Sequence, residues 1–137
     1  MEIRRSHAAH TMRMPPDWAT GMGWLDPIAQ APPPARARAV RLTFVPGART
    51  AWHRHPLGQT LQVLAGVTLI QSRGGPLRTM APGDTVWIAP DEEHWHGAAP
   101  ASLTVHLAVY EAETDGTTTV WLEQVTEPDY TASAEDD

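Results

Sequence analysis

Five side chains in two short stretches have the chemistry to hold a metal ion. In "TAWHRHPLGQTL", His53 and His55 stand two residues apart and Gln59 follows four residues after His55; in "HWHG", His94 and His96 repeat the two-residue spacing. Residues two apart in an extended segment point the same way, so each pair presents both rings together. Imidazole is the commonest protein metal ligand, and two such pairs on neighbouring strands supply three or four nitrogens to one ion. A turn at Pro56-Leu57-Gly58 lets Gln59 open the next strand and swing back beside the rings. The same spacing also suits a solvated strand face, and spacing alone leaves both readings open.

Strands must carry these residues. Thirteen prolines and ten glycines interrupt the chain at short intervals and leave little room for a long helix. Between them lie runs rich in β-branched and aromatic residues: "AVRLTFV", "QTLQVLAGVTLIQ", "DTVWIAP", "SLTVHLAVY" and "TTTVWLEQV". The intervening "VPGA", "RGGP" and "APGD" are turn signals, and Gly74-Gly75 suits a hairpin. The pattern predicts an all-β antiparallel sandwich or barrel. At 137 residues the chain fits one domain with its own core. Residues 1–34, with Pro15, Pro16, Pro27, the Pro32-Pro33-Pro34 triplet, Trp18 and Trp24, read as an N-terminal arm that adds one strand at "TGMGWLDPI". The barrel then spans 35–126, and 127–137 is a tail whose polar "TASAEDD" is expected to fray.

Composition removes several function classes. Net charge is −6, and all ten basic residues are arginines scattered along the chain, which argues against a nucleic-acid surface. Arg36, Arg38 and Arg41 fit the solvent side of a strand. There are no cysteines, hence no disulfide, thiolate site or cysteine nucleophile. "MEIRRSHAAH" has no apolar run behind its arginines, and no stretch approaches the ~18 apolar residues of a spanning helix. A soluble cytoplasmic protein without membrane or nucleic-acid partners is expected.

The run Gly47-x5-His53-x-His55-x3-Gln59-x6-Gly66 resembles the first signature of the cupin family, with Gln59 where glutamate is usual. Gly83-x7-Asp91-x2-His94 resembles the second, with departures at Ala89, Asp91 and Ala98. The resemblance implies a single-domain cupin, a jelly-roll-like antiparallel β-barrel holding one divalent metal ion on His53, His55, Gln59 and His94. Three neutral imidazoles and a neutral amide would leave the ion's charge uncompensated and strengthen it as a Lewis acid. Nitrogen plus hard oxygen admits Mn, Fe, Co, Ni or Zn.

"GARTAWHRHPLGQTL", "HWHGAAP", "TVHLA" and the opening "MEI" are together similar to the manganese-dependent hydroxynitrile lyases built on one cupin domain. That similarity implies cleavage and formation of cyanohydrins such as mandelonitrile, with Mn as the metal and His106 as the acid/base residue. In "SLTVHLAVY", Leu103, Val105, Leu107 and Val109 form an apolar face, while His106 shares the other face with Thr104, Ala108 and Tyr110. Alternation alone would send that second face to solvent; a barrel with a polar-tipped lumen would turn it inward. His96 is read as a substrate contact or a support for a ligand, and Tyr110 as a hydroxyl on the His106 face. Val40, Leu42 and Phe44 share one parity and form either an apolar substrate wall or plain core. Trp52, Trp87, Trp95 and Trp121 read as packing residues, Glu92-Glu93 as a solvated loop, and His7 and His10 as without a role. Two other classes stand beside the lyase: a cupin dioxygenase or decarboxylase on a small organic substrate, and a non-catalytic metal-bearing small-molecule binding protein. A homodimer or higher homo-oligomer is expected, paired through its sheets and sealed by the tryptophan-bearing arm.

Overall fold

The computed structural model describes residues 1–135. Its strands are β1 (Met12–Arg13), β2 (Ala19–Thr20), β3 (Gly23–Gln30), β4 (Ala37–Phe44), β5 (Arg49–Thr50), β6 (His53–Arg54) and β7 (Gln59–Gly66). There follow β8 (Thr68–Ser72), β9 (Arg78–Met80), β10 (Thr85–Ile88), β11 (His94–Ala98), β12 (Thr104–Glu111), β13 (Val120–Trp121) and one helical turn, α1 (Glu127–Tyr130). One sheet runs in the order β1-β3-β4-β12-β7-β10. The other runs β13-β6-β11-β5-β2, with β8 and β9 attached beyond β11. Every pairing between these named strands is antiparallel, so the all-β expectation holds. The three turn signals all fall between strands.

Alternation builds the core. On β7, Gln59, Leu61 and Val63 are buried while Thr60, Gln62 and Leu64 are exposed. From β4, Leu42 and Phe44 join Leu61, Val63, Ile70, Ile88 and Ala108 in one cluster between the sheets, with Val40 packed at its margin. A second cluster holds Trp52, Leu69, Leu77, Trp95, Val125 and Tyr130.

The first 34 residues contribute more than one strand. β3 pairs along β4, β1 extends the first sheet and β2 joins the second through β5. Trp18 stacks on Trp121 at 4.9 Å and 9°, so the chain's own barrel covers it. Just ahead of "TASAEDD", whose described residues 131–135 are exposed, one aromatic residue ties the chain to the barrel. Buried Tyr130 donates its hydroxyl hydrogen to the Ala98 carbonyl at 2.8 Å and lies under the Arg49 guanidinium at 4.3 Å. The Glu135 amide then bonds the Leu77 carbonyl at 2.8 Å; the last two positions of that tail, 136 and 137, lie outside the described residues. Trp87 also departs from its expected packing role, being 61% exposed. Among the described residues, no helix is long and apolar enough to cross a membrane.

Candidate metal centre

The two sheets bring the histidines together from three places in the chain. His53 on β6 lies opposite His94 on β11 in the ladder, and their ring centroids are 4.2 Å apart. His55 ends the same short run, 5.1 Å from His53 and 5.5 Å from His94. Between His55 and Gln59 the chain reverses at Gly58, whose φ of +80° and close approach to Trp87 leave no room for a Cβ. That turn seats Gln59 as the first residue of β7, buried. Asp91, where cupins usually have glycine, takes φ +61° itself. Aspartate is among the few residues that tolerate this region, and its carboxylate is held by Arg54 at 2.6 Å.

His96 also points inward from β11. One ring nitrogen each of His53, His94 and His96 lies within 4.8 Å of the other two, and no carboxylate joins this group among the described residues. His55 stands outside that tightest trio, beside it. His106 lies behind His96: its Nε2 is 2.8 Å from His96 Nδ1, and its Nδ1 is 3.4 Å from Thr68 Oγ1. Phe44 tilts against the His106 ring at 5.7 Å, whereas Val40 and Leu42 belong to the adjoining core. Tyr110 stacks on His55 at 5.4 Å, and Trp121 lies against His53 at 4.7 Å.

Hydrogen bonding orients the rings. Nδ1 of His53, His55 and His94 faces the carbonyls of Ala51, Thr118 and Glu92 at 2.9, 2.9 and 2.8 Å. A carbonyl only accepts, so each Nδ1 carries the hydrogen and each Nε2 keeps its lone pair. Nε2 of His55, His94 and His96 and Oε1 of Gln59 are buried without a partner. Buried acceptors left unpaired are costly and call for an explanation. A cation among them supplies one, and an imidazole held through its other nitrogen is the usual arrangement for a metal-binding histidine. The donor set therefore fits a divalent ion.

Burial also holds the rings uncharged. Desolvation is the first cause in each case, lowering His94 to about 4 and His106 to about 3. For His53 the neighbouring His94 and His55 add to it; for His96, the His106 and His53 rings do. Such rings are ready to donate lone pairs at neutral pH.

Of the side chains singled out by spacing, the structure draws His53, His94 and His96 into one tight trio, sets His55 beside it and buries Gln59 at the start of β7. It leaves Val40 and Leu42 in the core, and it adds Thr68, Thr104 and Trp121. Thr68 sits among β-branched neighbours, where a threonine reads as a strand former, so nothing in the local pattern marked it.

An inward-facing histidine cluster between two antiparallel sheets is the arrangement of a metal-binding β-barrel, and the chain belongs to the cupin family: residues 40–110 match the Cupin domain. The chain is 49% identical over 130 residues to "(R)-mandelonitrile lyase" of Granulicella tundricola, covering 95% of this chain and 98% of that one. Its fold is similar to a cupin-like protein from Thermotoga maritima, with TM-score 0.82, 36% identity and coverage of 91% and 94%. A cupin-2 domain from Rhodospirillum rubrum shares the fold at TM-score 0.71 and 16% identity, covering 94% of this chain and 82% of that one.

Proposed function

We propose that the protein is a metal-dependent hydroxynitrile lyase that cleaves, and in reverse forms, cyanohydrins such as mandelonitrile. The observation that carries this reading is the convergence of His53, His94 and His96 ring nitrogens within 4.8 Å of one another, with the unpartnered His55 Nε2 and Gln59 Oε1 buried as well; the likeness to the lyase selects the substrate class. His53, His55, Gln59 and His94 would hold one divalent ion, with manganese expected first. When bound, such an ion supplies Lewis-acid stabilisation of the negative charge that develops on the substrate.

The remaining steps fall to the chain's own residues. The His96–His106 pair takes the cyanohydrin's hydroxyl proton, with His96 facing the cluster and His106, the acid/base residue, behind it. The O–H electron pair becomes the second bond of the aldehyde carbonyl. The carbon–carbon bond breaks with its electrons leaving on cyanide, and the proton returns to give hydrogen cyanide. Phe44 and Tyr110 provide the aromatic surroundings for an aryl substrate. In this reading the chain acts as a homodimer or larger assembly, supported by the exposed Leu64, Trp87, Leu103 and Val109 on the first sheet and the loop beside it.

The test is cyanide release from mandelonitrile by purified protein, with and without chelator, alongside His106→Ala. Expected are metal-dependent release, its abolition by chelator, and an inactive His106→Ala that retains its metal. Release indifferent to chelator, or oxygen uptake in place of cyanide release, would overturn the reading.

A further inference from the structure

We propose that the hydroxyl pair Thr68–Thr104 dictates which nitrogen of His106 and of His96 carries hydrogen, so that His96 presents a bare Nε2 to the cluster. The chain of contacts has one fixed end. The Ala65 carbonyl can only accept, and the Thr104 hydroxyl donates to it at 3.4 Å. A hydroxyl has one hydrogen. Thr104 therefore accepts in its 2.5 Å contact with Thr68, and Thr68 donates. With its own hydrogen committed, Thr68 Oγ1 accepts from His106 Nδ1 at 3.4 Å. A neutral imidazole carries one N–H, so His106 Nε2 is bare and accepts from His96 Nδ1 at 2.8 Å. His96 Nε2 is left bare and, like the others at the cluster, without a partner.

Seclusion makes this polarity hold. Thr104 and His106 are fully buried, and Thr68 and His96 are 1% exposed, so bulk water does not compete for the links. The ladder between β7 and β12 slips between Val105 and His106, an irregularity located where the Ala65 carbonyl meets the Thr104 hydroxyl. Bulges of this kind commonly re-aim a side chain beside a site. The result is a common orientation reached by two devices. Backbone carbonyls set His53, His55 and His94, while two threonines set His106 and His96. Thr68 and Thr104 are thus positioning residues, acting on the substrate only through the histidine pair. Their catalytic consequence rests on the lyase reading above; the placement of the hydrogens does not.

Nitrogen-15 NMR of the histidine-labelled full chain tests this directly, first stripped by chelator and then loaded with zinc as a diamagnetic probe. In the unsubstituted protein, His96 and His106 are both expected with hydrogen on Nδ1. Thr68→Val removes the acceptor at the same side-chain volume. The hydrogen of His106 then moves to Nε2, His96 Nδ1 becomes the acceptor, and hydrogen appears on His96 Nε2. Cyanide release falls by about 100-fold in this variant, the lower range of what a positioned acid/base contributes. Thr68→Ser restores both the nitrogen pattern and the rate. An Nε2 hydrogen on either ring of the unsubstituted protein, which needs no variant to observe, overturns the proposal; so does a Thr68→Val spectrum identical to it. The expected nitrogen pattern without cyanide release removes the lyase reading alone, and release with the reversed pattern removes this inference alone.

Discussion

Gln59 is the residue on which the proposed chemistry of the centre turns. Its amide oxygen is buried and unpartnered among neutral rings, at the position where the family usually has a carboxylate. A glutamate there would cancel part of an ion's charge and weaken its pull on developing negative charge in the substrate. Gln59→Glu is expected to bind a divalent ion still, but to turn over mandelonitrile about tenfold more slowly, equivalent to about 1.4 kcal/mol on the barrier. Metal analysis with steady-state kinetics checks this, and unchanged turnover would contradict it. Gln59 and the histidines stand out in the sequence as candidate ligands because two residues two apart on a strand face the same way. The burial of His106 behind His96 is not legible there, because it depends on β11 and β12, which belong to different sheets, facing each other across the interior, and no local pattern links them.

At the scale of the element, strand parity was readable but its sense was not. Along β12 and the residue before it, the apolar row Leu103 to Val109 was separable from the row holding Thr104, His106 and Ala108. A simple sheet would bury the apolar row. Here Thr104, His106 and Ala108 are fully buried, while Leu103 and Val109 are 47% and 43% exposed. The inversion is tolerable because the inward polar groups bond one another, so burying them does not leave hydrogen bonds broken. β4 follows the same logic: Leu42 lies opposite His106, and Phe44 opposite Thr104. That makes Phe44 both core and neighbour of the histidine pair. The short N-terminal strands leave no mark in the sequence for a different reason. Two-residue elements such as β1 and β2 carry no periodicity and form only because β3 and β5 offer them an edge.

For the molecule as a whole, gathering uncharged imidazoles in the interior links stability to pH. Each ring has an ordinary value near 6.5 when unfolded, and burial lowers His94 to about 4 and His106 to about 3 in the folded chain. Between these limits the unfolded state binds more protons, so stability is fully present above pH 6.5 and falls as pH drops below it. Each ring contributes a slope of about 1.4 kcal/mol per pH unit. Chelator-treated protein should show a thermal midpoint that declines steeply from pH 7 to 5, and a bound ion should oppose the decline because it binds only the folded, deprotonated rings. A midpoint independent of pH over that range would contradict it.

Metal binding itself is the most direct trial. Calorimetric titration of manganese into the chelator-stripped full chain at neutral pH should reveal a single saturable site holding one ion per chain, and that site should vanish when His53 and His94 are both changed to alanine. Absence of saturable binding, or equal binding by the doubly substituted protein, would contradict the assignment of this buried cluster as a metal centre.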